Sequence, residues 1–158
     1  MLMKLFEKIL VPLDGSEHSL KALDVAIQIA KKFEGKLTLV HVYSMAAVPG
    51  VMPEPSMATA GIPVMAAPDI SKLIEATQKV GSRILDDGEQ RVKVAKVEVN
   101  KLLEEGHTVQ EIIRVAKEGN FELIVMGARG ISHIREMLLG SVSDGVMHHV
   151  SCPVLVVK

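Results

Sequence analysis

The chain has 158 residues, 48% of them hydrophobic and 23% charged, with a net charge of -1. A single domain of that length buries about 70% of the surface its unfolded chain exposes, and the composition excludes collagen, coiled coil and global disorder. Aromatics at 3%, no Trp and no basic excess exclude a base-stacking or electrostatic nucleic-acid platform, and the lone Cys152 excludes an intrachain disulfide framework and a cysteine-cluster metal site. The opening Met1-Leu2-Met3-Lys4-Leu5-Phe6-Glu7-Lys8 carries charges every few residues and has no signal-peptide core, and no apolar run reaches the roughly 18–20 residues that span a bilayer. One cytoplasmic domain over residues 1–158, with no membrane and no nucleic-acid partner, is the expectation.

Lys8 to Leu13 is a short apolar run closed by Asp14-Gly15-Ser16, which reads as a buried strand and its turn. Ser16 is placed to N-cap a helix in which Leu20, Leu23, Ile27 and Ala30 recur at helical spacing until Gly35 stops it. Leu37 to Tyr43 reads as the second strand. Residues 44–68 then break the rhythm, with five of the seven prolines (Pro49, Pro53, Pro55, Pro63, Pro68), four of the nine methionines and one charge, Glu54. Such a stretch forms neither a helix nor a central strand, and reads as a surface loop or as a lid or subunit-contact segment.

A long helix is predicted over about 70–94, with Ile70, Ile74, Thr77, Gly81, Ile84, Gly88 and Val92 near one face. Its two interior glycines cost about 1 kcal/mol each against alanine, which points to close approach to a sheet. Val97 to Leu103 is a third strand. Thr108 with Glu111 reads as a capping box before a helix that Gly119 ends, Glu122 to Met126 as a fourth strand, Ser141 with Asp144 as another box, and Pro153 to Val157 as the last strand. Five apolar strands separated by helices give an α/β fold: a doubly wound, Rossmann-like parallel sheet in the order 3-2-1-4-5, with helices on both faces.

Ligands of such sheets bind beyond the carboxyl ends of the strands, where the winding reverses. That rule selects Asp14-Gly15-Ser16, the region after Val42, and Gly127-Ala128-Arg129-Gly130. Asp14 either bonds a ribose hydroxyl or closes an Asx turn. Gly127 and Gly130, followed after nine residues by Gly140-Ser141-Val142-Ser143, either present N–H groups to a phosphate at a helix start or serve as turn and cap punctuation. Ser141 and Ser143 would add hydroxyl donors, with Arg129 and Arg135 screening the charge and His133 in the bridging segment.

The span Gly127-x2-Gly130-x9-Gly140-Ser141, together with the opening Val11-Pro12-Leu13-Asp14-Gly15-Ser16, the strand end Val40-His41-Val42 and the terminal Cys152-Pro153-Val154-Leu155-Val156-Val157, resembles the nucleotide-binding branch of the universal stress protein family over nearly the whole chain. The resemblance implies that Asp14 holds the ribose, with Pro12 and Leu13 beside the base and the main chain at Val42 reading adenine. Met126, Gly127, Arg129 and Gly130 would border ribose and phosphates, while Gly140, Ser141, Val142 and Ser143 would grip the phosphate tail. The implied ligand is ATP, with ADP or AMP as alternatives, with or without Mg or Mn.

Other constellations are absent: no Walker Gly-x4-Gly-Lys-Ser/Thr and no Gly-x-Ser-x-Gly elbow occurs. His148 and His149 read as helix-end residues, His41 as a strand residue and Cys152 as a small packed one. The leading functional expectation is an ATP-binding regulatory switch that acts on a protein partner and is not an enzyme. Its alternative is an adenine-nucleotide hydrolase or nucleotidyl-transfer enzyme of a related fold, although Asp14-Gly15-Ser16 is not the phosphate loop such enzymes carry. The apolar strand Pro153–Val157, last in the order and followed only by Lys158, is expected to pair with its own copy in a homodimer, an arrangement the family resemblance also implies.

Overall fold

The computed structural model describes residues 5–45, 69–131 and 139–158. Strands and helices alternate through them as β1 (Lys8–Pro12), α1 (Glu17–Phe33), β2 (Lys36–Tyr43), α2 (Ile70–Val94), β3 (Val99–Glu105), α3 (Thr108–Glu118), β4 (Leu123–Gly127), α4 (Ser141–His149) and β5 (Val154–Val157). All but the first two residues of the 44–68 stretch, its five prolines included, lie outside the described residues.

The strands form one parallel sheet in the order β3-β2-β1-β4-β5, as the alternation of elements predicts. Successive side chains on a strand point to opposite faces, so a sheet covered on both sides needs strands that are apolar throughout. β4 is buried at every position. Ile9 and Val11 of β1, Leu37 and Leu39 of β2, and Leu123 and Val125 of β4 face α1 and α2, where they meet Leu23, Ala26, Leu85 and Val92. Leu10, Val40, Ile124 and Met126 face the other way, onto Ile112 and Val115 of α3 and Val146 of α4. Each fully buried aliphatic side chain stabilises by roughly 1.5–3 kcal/mol, so these two layers are held mainly by aliphatic burial, with Phe6 and Phe121 packed at their margins.

The predicted close approach of α2 is present. A Cβ on Gly88 would lie 2.7 Å from Leu13 Cδ1 and 3.0 Å from Leu39 Cδ1, and one on Gly81 would lie 2.7 Å from His41 Cδ2. The buried line of the helix runs Gly81, Leu85, Gly88, Val92, and Ile70, expected on that face, is 45% exposed.

Four local expectations are corrected. Gly119 ends α3 at its C-cap as expected, whereas Gly35 does not supply the left-handed residue that ends α1; Glu34 does, at φ 56°. Gly35 is needed for space instead, because a Cβ there would collide with the Phe6 carbonyl oxygen. Thr108 and Ser141 are first helical residues rather than caps, and the N-cap positions fall to His107 and Gly140, neither of which makes a side-chain cap bond. The acids of the two expected boxes are drawn elsewhere: Glu111 accepts from Arg114 Nε at 2.8 Å, and Asp144 lies 3.4 Å from His148 Nε2. β3 begins two residues later than expected, since Lys96 at φ 58° carries the chain out of α2 and the ladder with β2 runs from Val99 to Glu105. Among the described residues no helix is long and apolar enough to cross a membrane.

Gly35→Ala should destabilise the fold by about 2–4 kcal/mol, because the added methyl meets backbone that cannot rotate away. Urea unfolding measures it, and a midpoint within error of wild type would contradict the packing described.

Candidate functional site

β1 pairs with β2 as far as Pro12↔Val40 but with β4 only at Ile9↔Leu123 and Leu10↔Ile124. Beyond Leu10 the two central strands part, and a cavity of about 300 Å³ opens between their carboxyl ends. All twelve residues singled out from the sequence line it: Pro12, Leu13, Asp14, Val42, Met126, Gly127, Arg129, Gly130, Gly140, Ser141, Val142 and Ser143.

On the β1 side, Leu13 N–H donates to Val40 O at 2.8 Å, and His41 Nδ1–H donates to Leu13 O at 2.7 Å. Asp14 Oδ1 accepts the Ser16 N–H at 2.9 Å in an Asx turn, with Gly15 at φ 81°, a value that favours glycine. Ser16 Oγ then accepts the Ser19 N–H at 3.2 Å and closes the start of α1. The second oxygen of Asp14 is turned the other way. A Cβ on Gly130 would lie 2.6 Å from Oδ2, so Gly130 leaves that oxygen open to the cavity. The Asx turn and a ligand contact therefore use different atoms of one carboxylate.

On the β4 side, three hydrogen bonds hold the loop. Ala128 N–H donates to Val157 O, Gly140 N–H to Ala128 O, and Ser143 Oγ–H to Gly127 O, each at 2.7 Å. A Cβ on Gly127 would lie 2.7 Å from His18 C and 2.9 Å from its Cβ, so only glycine lets α1 pack here. Ser143 corrects one expectation. It is buried and its hydroxyl proton is committed to Gly127 O, so its side chain braces the loop and is not a free donor. The start of α4 differs from that of α1: with glycine at the N-cap, no side chain among the described residues takes up the first-turn N–H groups of Ser141, Val142 and Ser143. Arg129 also lines the cavity and makes no hydrogen bond or ion pair among the described residues.

Ser19, Val40, His41, Thr108, Ile112 and Ile131 line the cavity as well and were not read as site residues. Thr108 and Ile112 share one face of α3 at helical spacing, and placing the third strand two residues early hid the loop that brings them in. Gly106, at φ 149°, was the available signal for that loop. His133 and Arg135 lie outside the described residues. His148 and His149 are exposed on α4, and Cys152 is half-buried against the α3–α4 core, where burial pushes its thiol up. Among the described residues no three His, Cys, Asp or Glu side chains converge on a metal site. A wider concavity of about 700 Å³ lies near the other end of the sheet, but Lys31, Lys36 and Lys96 alternate there with Glu7, Glu34 and Glu98 and select neither sign of ligand.

A sequence model of the universal stress protein family matches residues 5–158. The chain belongs to that family. It is 36% identical over 154 residues to universal stress protein YxiE of Bacillus subtilis, covering 98% of this chain and all of that one (100%). The structure of universal stress protein UspA from Lactobacillus plantarum superposes with a TM-score of 0.80 over 98% of this chain and 99% of that chain, at 24% identity, and carries the same fold. A universal stress protein solved in complex with cAMP is 28% identical, with a TM-score of 0.67, over 96% of this chain and 97% of that one.

Within this member of the family, the Ser143 brace can be isolated. Ser143→Ala should cost about 1–2 kcal/mol of stability, since it leaves a buried carbonyl without its donor. Thermal unfolding with and without ligand separates this loss from any effect on binding; no loss at all would mean that the Gly127 carbonyl finds another partner.

Proposed function

We propose that the crevice between β1 and β4 binds ATP, with ADP and AMP as lesser ligands, and that the whole chain, residues 1–158, works as one nucleotide-dependent regulatory module. One observation carries the reading: among the described residues, the open N–H groups of the α4 start share a cavity with an unpaired guanidinium, Arg129, and with one free oxygen of Asp14. A helix start with no side-chain cap favours an anion through its N–H groups and dipole, and a carboxylate oxygen suits a ribose hydroxyl. Of the twelve residues singled out from the sequence, Ser141, Val142 and Ser143 would offer main-chain N–H groups to phosphate, with the Ser141 hydroxyl beside them and Gly140 as the N-cap that leaves them open. Gly127, Arg129 and Gly130 would border the phosphates, Met126 the ribose, and Pro12, Leu13 and Val42 the base. A relative solved with cAMP favours the adenine class. Mg or Mn would enter with the phosphates, since no protein cluster is available among the described residues to hold it alone.

Regulation rather than turnover is the role proposed. The titratable groups of the lining, Asp14 and His41, are both engaged in positioning main chain, through Ser16 N–H and Leu13 O. Occupancy would be read by a protein partner in the cytoplasm. Gly130→Val should weaken ATP at least tenfold, because the new side chain meets Asp14 Oδ2 and fills the crevice. Calorimetry with ATP on wild type and variant tests it; equal affinities would remove the site assignment.

The module is also proposed to be a homodimer through β5. Pro153 O and Val157 O accept from Ile124 and Ala128, so odd-numbered residues of β5 face β4, and the main-chain groups of Val154 and Val156 point off the edge of the sheet. That edge is apolar, with Leu155 38% exposed, whereas the opposite edge, β3, carries Lys101, Glu104 and Glu105. Val156→Pro removes an outward N–H without breaking a bond to β4. Light scattering should give twice 17.1 kDa for wild type and the single-chain mass for the variant. A wild-type monomer, or a variant that stays dimeric, would move the interface elsewhere.

A further inference from the structure

We infer that His41 is a positioning residue that frees the main chain of Val42 to read a base, an inference that rests on the nucleotide reading of the crevice. The hydrogen bonds of β2 sort its residues by parity. Lys36 N–H donates to Glu7 O and Val40 O accepts from Leu13 N–H, both on the β1 side. Leu37 N–H donates to Glu98 O and Tyr43 O accepts from Gly106 N–H, both on the β3 side. Even residues of β2 therefore face β1 and odd residues face β3. Val42 is even, so its N–H and C=O face β1.

In a continued parallel ladder, the acceptor for Val42 N–H would be the next carbonyl of the first strand, Leu13 O. Val42 N–H makes no bond to that carbonyl, which receives a side-chain donor on its β2 side. His41 Nδ1–H donates to it at 2.7 Å, and the last backbone bond between the strands is Leu13 N–H to Val40 O. Space for the imidazole comes from α2, where glycine at 81 keeps a Cβ from lying 2.7 Å from His41 Cδ2. The side chain thus ends the ladder one bond early. Val42 is left with a donor and an acceptor side by side on the β1 side of its strand, at the cavity it lines.

A donor and acceptor on one residue match the amino group and neighbouring ring nitrogen of adenine, and oppose the carbonyl that hypoxanthine carries at the same position. His41 thereby sets base selectivity without touching the base. It also fixes the Leu13 carbonyl that leads into Asp14, which ties base and ribose positions together.

Amide hydrogen exchange and ligand titration on wild type, His41→Phe and His41→Asn test this. In wild type, Val42 N–H should exchange at least tenfold faster than Val40 N–H, whose strand continues on both sides. His41→Phe should protect Val42 N–H by closing the ladder, weaken ATP about tenfold, and leave ITP and inorganic tripolyphosphate unchanged. His41→Asn keeps a donor near the place of Nδ1 and should restore most of the ATP preference. A Val42 amide as protected as Val40 in wild type would overturn the inference, and so would His41→Phe weakening ATP and tripolyphosphate equally. Wild type that binds no ATP would instead overturn the nucleotide reading, with the exchange comparison still deciding whether His41 holds the ladder open.

Discussion

The crevice depends on the early parting of β1 and β4. These central strands share only two residue pairs, while each keeps its outer neighbour much longer: β1 to Pro12↔Val40 and β4 to Gly127↔Val157. Winding reverses at this seam, and main-chain groups at the carboxyl ends that a continuous sheet would consume are left without strand partners. Every feature of the site repairs or exploits that gap. Asp14 closes its own turn, Val157 O and Ala128 O hold the loop after β4, and Ser143 reaches down from α4 to Gly127.

The helix starts divide the labour. α1 begins beside the same crevice as α4, yet Ser16 satisfies its first turn and turns it into fixed structure. α4 begins at Gly140, where no side chain competes for the N–H groups, and the Ser143 hydroxyl that would compete is engaged with a carbonyl. A capped helix start is a stability device and an open one is an anion device. The charges follow the same division: among the described residues Arg129 is unpaired at the crevice, while Arg114, away from it, is held charged by Glu104, Glu111 and Glu118.

Tight packing supports the opening. Gly88 brings α2 against Leu13 and Leu39, and Gly81 brings it against His41, so the helix that follows the Pro/Met-rich stretch presses on the same loop that carries Asp14. Gly127 lets α1 lie against β4 from below. These contacts cost helix propensity in α2 at two positions, about 1 kcal/mol each, and the loss is offset by burial that a side chain would prevent.

Local sequence was sufficient for the elements and their order, because apolar runs of strand length separated by helical periodicity admit few topologies. It was also sufficient to bring Asp14, Gly127, Gly130 and Gly140 to one place, since the strand ends of such a sheet converge on the cavity they line. Cap assignments at Thr108 and Ser141 and the glycine stop at Gly35 went astray by one residue or by reason, because Glu111 found Arg114, Asp144 found His148, and Phe6 came up against Gly35 from a distant part of the chain. Contact between distant segments brings His41, Thr108 and Ile112 to the cavity. A strand residue becomes a site residue only when its neighbour ends early, and where β1 ends relative to β2 and β4 is decided by hydrogen bonds between segments that are far apart in sequence.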